Sequence, residues 1–106
     1  MLQECSQDQI IHHLANSQEP LALFVYTPFC GTCKLTENML NIIVHSNDLA
    51  IVKSNINFMP LLTKQWHIQS VPCILIAQEG NLLSVLYRIN SIVDLWHYLL
   101  QNVGRK

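Results

Sequence analysis

Leu21-Ala22-Leu23-Phe24-Val25-Tyr26 is an unbroken apolar run, closed by Pro20 on one side and Thr27-Pro28 on the other. It is far shorter than the roughly 20 residues a membrane helix needs. It does not alternate, so neither side is made for water. Such a run predicts a strand buried on both faces, the kind found inside the sheet of an α/β fold. The next segment narrows the choice: after Thr27-Pro28-Phe29, a Cys-x-x-Cys pair, Cys30 and Cys33, opens a helix to about His45, with Leu35, Met39, Ile42 and Ile43 at helical spacing.

The rest of the chain supplies partners for that strand. Ser6, with Gln9 completing a capping box, starts a helix over about residues 7–17 whose Ile10, Ile11, Leu14 and Ala15 share a face. Ala50 to Ile56 reads as a second strand entered through Ser46-Asn47-Asp48, which makes strand, helix and strand a right-handed parallel crossover. A third helix is predicted from about Met59 to His67, with Pro60 in its first turn and Asn57 near its cap. Val71 to Gln78, the turn Glu79-Gly80-Asn81 and Leu82 to Arg88 read as a hairpin. A last helix begins at Ser91 and places Ile92, Leu95, Trp96, Leu99 and Val103 on one face, so Trp66 and Trp96 are both assigned to core faces. The order α, β, α, β, α, β, β, α over 106 residues is expected to fold as a single domain with helices on both faces of the sheet.

Half the residues are hydrophobic and 12% are charged, which excludes the disordered class. Six Lys and Arg against seven Asp and Glu leave a net charge of −1 with no basic run, so a nucleic-acid partner is not expected. Nor is a membrane partner. Met1-Leu2-Gln3-Glu4-Cys5 lacks the flank and apolar core of a secretory signal, and the expected location is the cytoplasm. In that reducing compartment Cys5, Cys30, Cys33 and Cys73 are no disulfide framework. There is no second Cys-x-x-Cys, and His12, His13, His45, His67 and His97 share no ligand spacing, so no metal or other cofactor is expected.

A thiol attacks disulfides as its thiolate, and the free N–H groups and positive dipole end of a helix N-terminus favour the thiolate. Cys30 at that position is the expected nucleophile. Cys33, almost one turn later on the same side, is the expected resolving thiol. Gly31 leaves room for a partner's backbone. The alternative, two buried cysteines that happen to be three apart, is weakened by the buried strand before the pair and the helix after it. Cys73 should point away from the face of Pro72 as a buried inert thiol, and Cys5 reads as an exposed spectator.

Phe29-Cys30-Gly31-Thr32-Cys33-Lys34 after a buried strand, Lys53 in Val52-Lys53-Ser54-Asn55-Ile56-Asn57, Ser70-Val71-Pro72 before the hairpin and Gly80 at its turn together resemble the thioredoxin family from Leu21 to Val103. The chain is especially similar to short bacterial thioredoxin-like proteins with a Cys-Gly-Thr-Cys site. The resemblance implies a three-layer α/β fold with a central four-stranded mixed sheet. Too few residues precede Ser6 for more than a vestige of the extra N-terminal strand some members carry. It also implies a monomeric thiol-disulfide oxidoreductase that reduces protein disulfides and is rereduced by a thioredoxin-reductase-like donor. Cys30, Cys33 and Lys53 would then be catalytic, and Tyr26, Phe29, Gly31, Thr32, Val71 and Pro72 would meet the substrate. Val71-Pro72 would be cis, with the Val71 backbone pairing to the client chain.

The departures from the family pattern fall at the site. Phe24 stands where thioredoxins carry a buried aspartate that takes a proton from the resolving thiol, leaving water or Lys53 to substitute. Thr32 replaces a proline, Tyr26 and Phe29 replace two tryptophans as an aromatic wall, and Arg88 replaces a glycine at the rim of the groove. Two alternatives are a thioredoxin-fold binding module with little turnover and glutaredoxin-like reduction of low-molecular-weight mixed disulfides. The latter is disfavoured because Ile89-Asn90-Ser91 stands where glutaredoxins have Gly-Gly and an acidic pair.

Overall fold

The computed structural model describes residues 2–103. Its elements are β1 (Gln3–Glu4), α1 (Gln7–Asn16), β2 (Leu21–Tyr26), α2 (Gly31–Ser46), β3 (Ile51–Asn55), a 3-10 turn (Ile56–Phe58), α3 (Pro60–Gln65), β4 (Cys73–Gln78), β5 (Asn81–Leu86) and α4 (Ile92–Val103). One mixed sheet has the order β1-β3-β2-β4-β5. β3 lies parallel to both β1 and β2, whereas β4 is antiparallel to β2 and β5.

β2 is central, and that explains its sequence. Ala22–Tyr26 pairs with Ile51–Asn55 on one side, and Leu21–Val25 pairs with Ala77–Cys73 on the other. Successive side chains then enter opposite cores. Leu21, Leu23 and Val25 meet Ile10 and Leu14 of α1 together with Met59, Leu62 and Trp66. Ala22 and Phe24 meet Cys33, Leu40 and Ile43 of α2 with Leu95 and Leu99 of α4. Both faces are covered, as continuous apolarity requires.

The sheet has five strands rather than the expected four. The fifth, β1, is only two residues long, but its backbone pairs with Val52 and Lys53 of β3, and Cys5 N–H donates to the Lys53 carbonyl at 2.9 Å. Cys5 is accordingly partly buried against the core instead of exposed.

Several helix faces are narrower than the periodicity implied. In α1 the predicted capping box is present, but only Ile10 and Leu14 are buried, while Ile11 and Ala15 are exposed. In α2 the inward positions are Cys33, Thr36, Leu40 and Ile43; Leu35 and Ile42 face outward at 61% and 59% exposure. Trp96 is also exposed, and Trp66 alone of the two tryptophans belongs to a core. A helix packed on a sheet turns only part of its circumference inward, and apolar residues outside that stripe remain wet. The third helix is shorter than predicted because Met59 and Trp66 are its caps and His67, at φ 53°, turns the chain away.

The hairpin turns through Glu79 (φ 52°) and Gly80 (φ 84°), the two positive values that a primed two-residue turn needs. β5 ends at Leu86 rather than Arg88, as Tyr87 leaves the ladder and its hydroxyl accepts from Gln69 N–H at 3.1 Å. β4 begins at Cys73, after Pro72, which has no N–H to give a ladder.

Candidate active site

The carboxyl ends of β2 and β3 point toward one edge of the sheet, where residues 27–30 lead from β2 into α2. Asn57 Nδ2 donates to Thr27 Oγ1 at 3.2 Å, tying this connection to the segment after β3. Phe29 has φ 63°, a left-handed conformation costing a bulky residue about 1–2 kcal/mol, and its side chain is 100% exposed. The backbone thus presents an aromatic ring to solvent immediately before Cys30. Tyr26, at the end of β2, is partly buried, with the Lys53 Nζ 5.5 Å from its ring centroid.

Cys30 is the N-cap residue of α2 and is joined to Cys33 by a disulfide, with Cα atoms 5.2 Å apart. Cys33 N–H points at Cys30 Sγ at 3.1 Å, and Thr32 Oγ1 lies 3.4 Å from the same sulfur. One free N–H of the helix end thus points at the Cys30 sulfur, at the positive end of the α2 dipole, an arrangement that favours a thiolate. The two sulfurs differ in access, Cys30 being partly exposed and Cys33 only 3% exposed. A Cβ placed on Gly31 would meet nothing within 4 Å, so packing within the protein does not require a glycine there.

The Val71–Pro72 peptide is cis, and Val71 packs against both cores, including the one that holds Cys33. Cys73 follows on the opposite core face, fully buried, and burial pushes its thiol up to about 12. Burial, and then the charge of Glu4, raise the Cys5 thiol as well. Arg88 is exposed.

Lys53 is held by neighbours that residue spacing does not reveal directly. Its Nζ donates to Glu37 Oε2 at 2.8 Å and lies 5.5 Å from the Tyr26 ring centroid. Tyr26 stacks on Phe24 at 5.8 Å and gives its hydroxyl proton to the Glu4 carboxylate. Burial foremost, then the hydrogen bond to Glu4 and the charges of Glu4 and Glu37, push the phenol well above its ordinary value. Glu37 was legible in principle, being four residues after Cys33 and so on the same helix face. Glu4 was not, because its role depends on β1.

The thioredoxin family profile matches residues 2–98. The chain belongs to the thioredoxin family. It is 36% identical over 80 residues to the thioredoxin-like protein YusE of Bacillus subtilis, covering 74% of this chain and 76% of that one. It is 26% identical over 92 residues to a thioredoxin of Haemophilus influenzae, covering 85% and 86%. Thioredoxin f2 of Chlamydomonas reinhardtii superposes over 100% of both chains with a TM-score of 0.84 at 22% identity, which speaks to the fold. Family membership together with a Cys-Gly-Thr-Cys pair at disulfide distance makes this thioredoxin-like chain a thiol-disulfide oxidoreductase in the general sense. Among the described residues no helix is long and apolar enough to cross a membrane.

Proposed function

We propose that this chain, acting as a single thioredoxin-like domain, reduces disulfides in client proteins. The observation that carries this reading is the asymmetry of the pair: Cys30 partly exposed at the helix N-terminus, Cys33 buried behind it. Cys30 attacks as thiolate, a client sulfur leaves with the displaced electron pair, and a mixed disulfide forms. Cys33 then attacks Cys30, releasing the second client sulfur and closing the Cys30–Cys33 bond. A thioredoxin-reductase-like donor returns two electrons and two protons to the pair. Lys53 assists at Cys33. Tyr26, Phe29, Gly31, Thr32, Val71 and Pro72 form the client-facing rim, with the Val71 backbone pairing to the client strand. The protein acts as a cytoplasmic monomer and needs no cofactor beyond its own thiols.

Insulin-disulfide reduction coupled to a reductase tests the activity, with Cys30→Ser expected to abolish it. Cys33→Ser should retain the first attack and accumulate adducts with client proteins that dissolve on adding reductant. No turnover by the unaltered protein, and no adducts from Cys33→Ser, would favour a thioredoxin-fold binding module.

A further inference from the structure

We propose that Glu37 receives the proton of Cys33 when that thiol resolves a mixed disulfide on Cys30, with Lys53 holding its carboxylate in place. This rests on the oxidoreductase reading and names the group that reading lacks.

Cys33 must become a thiolate in order to attack, yet at 3% exposure it is poorly reached by bulk water. Burial in apolar surroundings disfavours a free thiolate, so the step needs a local base. The inventory around it is short. Phe24, in the same core, has no acceptor. Lys53 from β3 offers hydrogen-bond donors and no acceptor site. Tyr26 from β2 spends its hydroxyl proton on Glu4, and burial keeps the phenol neutral. Glu4 itself sits on β1, separated from β2 by β3, with Tyr26 bonded to it. α4 turns Leu95 and Leu99 toward this core, and its Tyr98 is taken up by Ser84. On α2, Lys34 and His45 are exposed.

Glu37 remains. It lies one helical turn beyond Cys33 on the same face, and residues so spaced have Cβ atoms about 5–6 Å apart, a gap that one water or a rotamer change spans. Its side chain is 25% exposed, and Lys53 draws it toward the sheet through Oε2, leaving Oε1 open to a proton. Lys53 is itself fixed above the Tyr26 ring, and that ring is stacked on Phe24. The carboxylate is thus anchored at the border of the core that contains Cys33. In the step, the Cys33 proton passes to Glu37 and the Cys33 thiolate bonds to Cys30 Sγ. The Cys30–client S–S bond breaks, and the client sulfur leaves as thiolate. Glu37 then returns the proton to that sulfur or to water.

The test uses the reduced chain carrying Cys5→Ser, mixed with 5,5′-dithiobis(2-nitrobenzoate) in a stopped-flow instrument. Attack by Cys30 releases one thionitrobenzoate, and attack by Cys33 releases a second in a phase independent of reagent concentration. Glu37→Gln, which can still hydrogen-bond Lys53, should slow that second phase about 10- to 100-fold near pH 7. The difference should narrow as the pH rises, because hydroxide increasingly takes over removal of the Cys33 proton. Glu37→Asp should recover part of the rate. Lys53→Met should show the same pH-restricted slowing, which keeps the test decisive if Glu37→Gln fails to fold. Glu4→Gln should leave the profile in place.

Superposed profiles for Glu37→Gln and the unaltered protein would overturn the proposal, as would equal slowing by Glu4→Gln. Absence of a concentration-independent release from the unaltered protein at every pH would be a different result, because it removes the oxidoreductase reading and this proposal together.

Discussion

The Tyr26 hydroxyl lies 2.6 Å from Glu4 Oε1 and 2.7 Å from Glu4 Oε2, fastening the two-residue β1 to the strand that delivers the cysteine pair. The contact requires the neutral phenol, and the folded state raises the pKa of Tyr26 above its unfolded value. Its contribution is therefore fully present below about pH 10 and is lost as the pH rises beyond that, when the unfolded chain ionises first. Tyr26→Phe should cost about 1 kcal/mol at neutral pH, since the bond is partly exposed, and the difference should shrink in alkali. Urea unfolding of both proteins across the alkaline range checks this.

Cys73 should behave as an inert thiol with an alkaline liability. Its pKa rises on folding to about 12, so stability present below about pH 9 should fall between those values as the unfolded thiol ionises. Cys73→Ala should lose about 1 kcal/mol at neutral pH by leaving a small cavity, yet show a flatter alkaline profile. With the reduced native protein, iodoacetamide should modify Cys30 fastest and Cys73 only on unfolding. Mass spectrometry that finds Cys73 labelled first would refute the buried assignment.

Gly31 separates stability from client recognition. Nothing lies within 4 Å of a Cβ at this position, and Gly31 opens α2. Gly31→Ala should therefore leave stability unchanged or raise it by about 0.5–1 kcal/mol. If the gap admits a client backbone, insulin reduction should slow while thionitrobenzoate release does not. Equal slowing of both reactions would place the effect at the cysteines themselves.

Phe24 is fully buried and pairs in register with Lys53 across β2 and β3. Phe24→Asp removes a core ring and buries a carboxyl, and should destabilise the protein by about 3 kcal/mol or more. Burial raises that carboxyl's pKa in the folded state, so the loss should be smallest at acid pH and grow toward neutrality, as thermal melts across pH would show. The substitution should also restore thionitrobenzoate release in Glu37→Gln, because a second base then faces Cys33. A double variant no faster than Glu37→Gln alone would show that a carboxylate from β2 cannot serve.

Much of this molecule could be read from local pattern. The unbroken run Leu21–Tyr26, the Ser6–Gln9 cap and the Cys30–Cys33 spacing at a helix start each depend on residues within a few positions of one another, so their physics is present in the sequence itself. So are the order of the elements and the parallel-then-hairpin plan, which derive from chain connectivity. Periodicity misassigned Leu35, Ile42 and Trp96 because it records apolarity and not which stripe of a helix meets the sheet.

Tertiary structure alone decided the rest. β1 exists because β3 offers it a free edge, and no property of Gln3 and Glu4 by themselves makes a two-residue strand. The Glu4–Tyr26 and Glu37–Lys53 contacts join residues 22 and 16 positions apart, through strand register and the seating of α2 on the sheet. A sequence can place Cys33 on a helix and Phe24 on a strand. Only the packed sheet decides that a glutamate one turn from Cys33 is drawn inward by a lysine from β3, since that requires both elements to be fixed before either charge can find the other.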